Sequence, residues 1–135
     1  MIALPHNDHI GKLVLRLSLG GFMLFHGVAK LMHSESLDMI GGQLEASGLP
    51  AFIVYGVYLG EVLAPLMLIA GYYCRYGAIL IVINMLFAVG LFHMGDIFSL
   101  SERSGSWRLE LQGFYLFGAL ALMFFGSGKY ALRPD

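Results

Sequence analysis

Residues 50–95 read PAFIVYGVYLGEVLAPLMLIAGYYCRYGAILIVINMLFAVGLFHMG, and this stretch decides the architecture. It holds two apolar runs, 50–71 and 77–95, on either side of the joint Tyr72-Tyr73-Cys74-Arg75-Tyr76. Each run is close to the ~20 residues a helix needs to cross about 30 Å of hydrocarbon. So short a joint makes the two runs antiparallel neighbours. Gly48-Leu49-Pro50 marks the start of the first run, since proline is tolerated in the opening turn of a helix. The stretch therefore predicts a tight hairpin of two membrane-spanning helices.

Working outward, a further apolar run covers 11–32, before the polar stretch His33-Ser34-Glu35-Ser36, and another covers 107–126, after a loop at 96–106 rich in serine and charge. Leu37, Ile40 and Leu44 recur at helical spacing between the first two spans, while Asp38, Gln43 and Glu45 fall elsewhere around the wheel. This pattern predicts a short amphipathic helix, lying at the membrane interface or capping the spans.

Composition agrees. Hydrophobic residues make up 58% of the 135 and charged residues 13%, with a mean hydropathy of +0.74, against roughly 45–50% and 25% in soluble domains. A small soluble domain buries only about two-thirds of its chain surface, so the excess must face lipid. The expected fold is all-α: an integral membrane four-helix bundle with a short interfacial helix between spans one and two, residues 1–135 forming a single transmembrane domain. Four spans leave no room for a separate soluble catalytic domain. A net charge of −1 provides no basic field for nucleic acid. The lone Cys74 excludes an internal disulfide or a dithiol motif. Lys12 and Arg16 ahead of an apolar run ending in Gly27-Val28-Ala29 have the plan of a signal peptide, but the segment is expected to remain as a span.

Lysine and arginine near span ends set orientation. With the amino terminus inside, Lys12, Arg16, Arg75, Lys129 and Arg133 are cytoplasmic, against Lys30, Arg103 and Arg108 outside. Both termini are thus expected in the cytoplasm, beneath an acidic outer face. Tyr72, Tyr73, Tyr76, Trp107 and Tyr130 fall where aromatic belts settle.

Ionisable groups within spans cost roughly 2.5–3.5 kcal/mol each on insertion scales, so each needs a partner or a function. The candidates are Arg16, His26 and Lys30 in the first span, Glu61 in the second, His93 at the outer end of the third, and Glu110 with Gln112 at the start of the fourth. His26 and Lys30 share a face at i, i+4, and Arg16, Gly20, Gly27 and Lys30 form one stripe on which glycines admit a neighbouring helix. Pro65 cannot donate to the Glu61 carbonyl, so both the carboxylate and that carbonyl are expected to be available. Asn84 lies about 180° from His93 on an unbroken helix and is read as a packing residue. Glu61 with Lys30 or Arg16, and Glu110 with Arg108, would be the ion pairs if these charges only hold helices together. A metal or haem held by His26, His93 and Glu61 lacks a supporting motif, and the metal expectation is none.

At these residues the chain resembles the DoxX family of small four-helix membrane proteins. The resemblance rests on Arg16, Gly20, His26-Gly27 and Lys30-Leu31 in the first span, and on Gly48-Leu49-Pro50 before the second. It continues through Glu61, Leu68, Gly71 and Arg75, then His93 in the third span and Glu110 in the fourth. The tail departs from the family pattern at Gly126-Ser127-Gly128 and Ala131-Leu132-Arg133, where relatives tend to carry Gly-Pro-Gly and Ser-Leu-Asp.

The resemblance implies a bacterial inner-membrane protein with quinone-linked redox work, since relatives look like the small subunit of thiosulfate:quinone oxidoreductase. On that reading quinone is the expected cofactor, and a redox partner protein supplies electrons. Glu61, Glu110 and His26 are the catalytic candidates, and Arg16, His26, Lys30, Glu61, His93 and Glu110 the ligand-binding ones. Phe22, Phe25 and Tyr58 are expected to line the ring slot. The competing readings are a protein that binds or transports a small molecule or lipid without redox chemistry, and a structural anchor.

Overall fold

A computed structural model describes residues 5–33 and 35–135, so Ser34 of the expected polar turn lies outside the described residues. Among the described residues five helices of twelve residues or more follow in order: α1 (Asp8–Met32), α2 (Glu35–Ala46), α3 (Ala51–Ala70), α4 (Cys74–Phe92) and α5 (Glu110–Phe125). The described residues contain no strand, only the isolated bridges Tyr72 to Arg133 and Leu100 to Trp107. α1, α3 and α4 are each long and apolar enough to cross a membrane. The fourth apolar helix is shorter than expected, with 16 residues beginning at Glu110. Trp107 instead belongs to the preceding loop, where its Nε1 donates to the Ile97 carbonyl at 2.7 Å. Its ring lies on the side where a Cβ at Gly113 would be.

The local chemistry accounts for each boundary. Asn7 caps α1, its side-chain oxygen accepting from the Ile10 amide at 3.1 Å. α3 closes at Gly71 in the left-handed region, φ 70°, and the Tyr72 amide returns to the Met67 carbonyl at 3.0 Å. In the middle of α3 the turn widens over Leu59–Leu63, with the Ala64 amide reaching back five residues to Leu59. Pro65 is the cause: its ring would clash with the Glu61 carbonyl four residues earlier, and it has no amide proton to donate there.

α1 packs on α3, α3 on α4, α4 on α5 and α5 on α1, which closes the ring of helices. Its core is Leu19, Met23, Ala64, Leu68, Ile81 and Leu122 with their neighbours, all nearly inaccessible. Small residues bring the backbones together. A Cβ on Gly27 would lie 1.9 Å from the Glu61 carbonyl oxygen, one on Gly20 2.9 Å from that of Pro65, and one on Gly60 2.5 Å from the Asn84 Cβ. The glycine stripe of α1 therefore seats directly on α3. The Glu61 carbonyl is covered by Gly27 rather than left open, contrary to the expectation from Pro65. The outer surface is a belt of exposed apolar side chains that includes Phe22, Phe25, Phe114 and Phe124.

Candidate functional site

Between the helices, toward the end where α2 lies, is a cavity of about 510 Å³. Its walls are mostly aliphatic, with Met23, Leu44, Val54, Leu80 and Met85 among them. Into these walls are set His26, Lys30, Glu61, Asn84, His93, Gln112 and Tyr115. α2 covers one side with Met39, Ile40 and Leu44, and Leu44 is 1% exposed. The apolar face of the amphipathic helix thus turns toward the cavity.

Glu61 and Lys30 form the charged centre. Gly27 sets the backbone of α1 against Glu61, and Lys30, three residues further along the same face, places its ammonium beside the carboxylate. Nζ lies 2.9 Å from Oε1 and 2.7 Å from Oε2. Only Oε1 receives a hydrogen bond with proper geometry. Oε2 is paired through charge alone and is left buried without a hydrogen bond. The Glu61 side chain is 8% exposed and that of Lys30 20%, so the pair is largely withdrawn from water. Removing both charges from water is costly unless they satisfy each other, and here each Glu61 oxygen lies against the Lys30 ammonium.

Further polar groups line the same cavity. The His26 ring meets Tyr115 edge to face, with centroids 5.7 Å apart. His93 stands 3.5 Å from the Asp96 carboxylate through Nδ1, and its Nε2 lies 3.4 Å from the Gln112 amide nitrogen. Asn84 and His93 both line the cavity despite the 180° between them on a regular helix. The reason is that α4 stops at Phe92, and His93 adopts φ −127°, ψ 14°, which re-aims its side chain. Asn84 is therefore a wall residue of the cavity as well as a packing one.

Two expected site residues lie elsewhere. Arg16 is 1% exposed and is committed to four carbonyls: Leu68 at 2.9 Å, Ile69 at 3.3 Å, Ser127 at 3.0 Å and Tyr130 at 2.8 Å. It closes the C-terminal end of α3 and pins the tail, where a cation suits the unpaired carbonyls and the negative end of the helix dipole. Glu110 is exposed at the first position of α5, outside the cavity wall, and makes no ion pair with Arg108, whose Nε donates to Leu100. Phe22 and Phe25 are 62% and 76% exposed on the outer surface, and Tyr58 is not in the wall; the rings that line the cavity are Phe87, Phe92 and Tyr115. No group of three or more His, Cys, Asp or Glu side chains that could hold a metal ion occurs among the described residues.

A family model named DoxX matches residues 11–94. The chain belongs to the DoxX family. No curated protein and no solved structure matches it. The DoxX match contains His26, Lys30, Glu61, Asn84 and His93, and it ends before α5. The cavity wall contributed by Gln112 and Tyr115, and Glu110 itself, thus lie beyond the matched DoxX segment. Membership makes this a membrane protein family member, in keeping with its three long apolar helices.

Proposed function

We propose that the chain is a four-span membrane bundle of the bacterial inner membrane, with both termini cytoplasmic and α2 at the outer interface. In this reading it binds a quinone head group in the cavity and serves as a membrane subunit of a quinone-linked oxidoreductase system. The observation that carries the reading is the buried Lys30–Glu61 pair in the wall of a mostly apolar cavity.

The residues fit such a ligand. A flat ring needs apolar walls and its carbonyl oxygens need donors, the usual make-up of small-molecule pockets. Lys30 carries three N–H groups against the two Glu61 oxygens beside it, and Asn84, Gln112 and Tyr115 add neutral donors. A bound quinone supplies two-electron, two-proton redox chemistry. Lys30 would hold a carbonyl oxygen, and the Glu61 carboxylate would accept or return one of the two protons, a general acid–base role. His26, fixed edge-on by Tyr115, orients the ring from the α1 side. Electrons come from a partner protein.

The test is purification in mild detergent, organic extraction, an absorbance spectrum of the extract, and titration of the protein with a benzoquinone. The reading expects quinone in the extract and a saturable titration. An extract holding only phospholipid, with no saturable benzoquinone binding, would replace it with a lipid-binding role.

A further inference from the structure

α3 and α4 meet closely at one level and diverge a turn further on. At the meeting point Gly60 abuts Asn84, where an added Cβ would lie 2.5 Å from the Asn84 Cβ. Four residues earlier, Gly56 also lines the cavity, yet a Cβ built there would find no atom within 4 Å. The packing explains the divergence. α4 is held to α3 through Leu59–Leu63 and Ala64–Ala70, whereas the opening turn Ala51–Tyr55 packs on α2 instead. The residues on the two sides of this gap belong to the cavity wall and to the outer surface at once: Leu59 is 48% exposed, Ile83 46% and Phe87 44%. All three are apolar. On the α2 side Leu44 is buried at 1% exposure, while Met39 of the same wall is 63% exposed.

From this geometry we infer that the cavity opens sideways into the hydrocarbon between α3 and α4, and that its ligand is a chain-bearing lipid whose head group sits on Lys30 and Glu61 while its tail leaves through the slot at Gly56. The identity of the head group rests on the quinone reading; the slot and the tail do not. An apolar slot that leads from lipid to a charged pair matches an amphiphile with a polar head and a long apolar chain, because each portion is then placed in its own solvent. A ligand without a chain would leave the slot to lipid tails and would gain nothing from it.

Gly56→Leu tests this by filling the slot. The site has room, its backbone is helical at φ −61°, and leucine favours helix over glycine, so folding is preserved. Purified wild type and variant are titrated with a decyl-tailed benzoquinone, with the same head group bearing a methyl in place of the tail, and with tetradecanol. Comparing the two proteins cancels partition into detergent. The inference expects the variant to bind the tailed quinone about tenfold more weakly, with the tailless quinone unchanged. Equal loss for both quinones, or no loss for the tailed one, overturns it. If wild type binds neither quinone but retains tetradecanol, and the variant loses it, the quinone reading fails while the lateral slot stands. If wild type binds none of the three, both fail.

Discussion

Lys30 and Glu61 show how a buried pair differs from its members. Breaking such a pair from one side strands a charge and costs about 3–5 kcal/mol, whereas replacing both by apolar groups is often neutral. Glu61→Ala is therefore expected to lower the melting temperature in detergent clearly, and Lys30→Leu with Glu61→Leu together to restore most of it. If the double variant melts as low as the single one, the two side chains do not act as a pair. Gly27 carries an equally local prediction. Its missing Cβ is the space occupied by the Glu61 carbonyl, so Gly27→Ala must push α1 off α3 and cost at least ~1–3 kcal/mol as overpacking does. Gly21→Ala, with nothing within 4 Å, is the matched control and should melt like the parent. At this scale the sequence is legible for the charged residues. Spacing brings His26 and Lys30 to one face, and of the two partners expected for Glu61, Lys30 or Arg16, it is Lys30 that pairs with it in the cavity wall. Tyr115 and Gln112 are harder to find, because an aromatic and an amide in an apolar run carry no charge to betray a site.

Among the elements, α1 illustrates what periodicity can and cannot say. Arg16 and Lys30 lie on one stripe, but fourteen residues of helix separate them by roughly 21 Å, so one face serves two ends. Lys30 reaches the cavity and Arg16 the tail. The same limitation applies to α4, where the angle between Asn84 and His93 holds only while the helix continues, and it ends at Phe92. Run length alone starts the fourth span too early, at Trp107 instead of Glu110, because tryptophan reads as apolar although its indole N–H closes the loop onto Ile97. The tail docks on α3 through Leu132 to Ala70 and Arg133 to Gly71, and Asp135 accepts from the Ser127 and Arg75 amides. Arg16 binds the Ser127 and Tyr130 carbonyls from within. Hydrogen bonds to a charged group contribute about 1.5–3 kcal/mol each, so Arg16→Met should speed tryptic cleavage after Lys129 by about tenfold or more. Mass spectrometry of the purified protein follows the loss of residues 130–135. An unchanged cleavage rate would mean that the tail is held without the guanidinium.

Over the whole molecule, the acidic and basic ends and the cavity have a sidedness that decides access. The five-to-three division of lysine and arginine predicts that a reporter fused after Asp135 reads as cytoplasmic and one inserted near Ser104 as external. The reverse pattern would turn the cavity toward the cytoplasm. The membrane class is legible from composition and run length, because hydrophobic length is a physical requirement of the bilayer. The cavity is not, since it depends on where α3 widens at Leu59–Leu63 and diverges from α4, features that arise from packing between distant residues.

The central claim is that the Lys30–Glu61 pair receives a quinone head group. The most direct measurement is a benzoquinone titration of wild type and of the Lys30→Leu, Glu61→Leu double variant, with folding verified by the melting curve. The double variant removes the charges together and so spares the fold. The account predicts a well-folded protein whose benzoquinone affinity has dropped about tenfold or more, the loss of at least one charge-assisted hydrogen bond. Unchanged affinity in a folded double variant would contradict it.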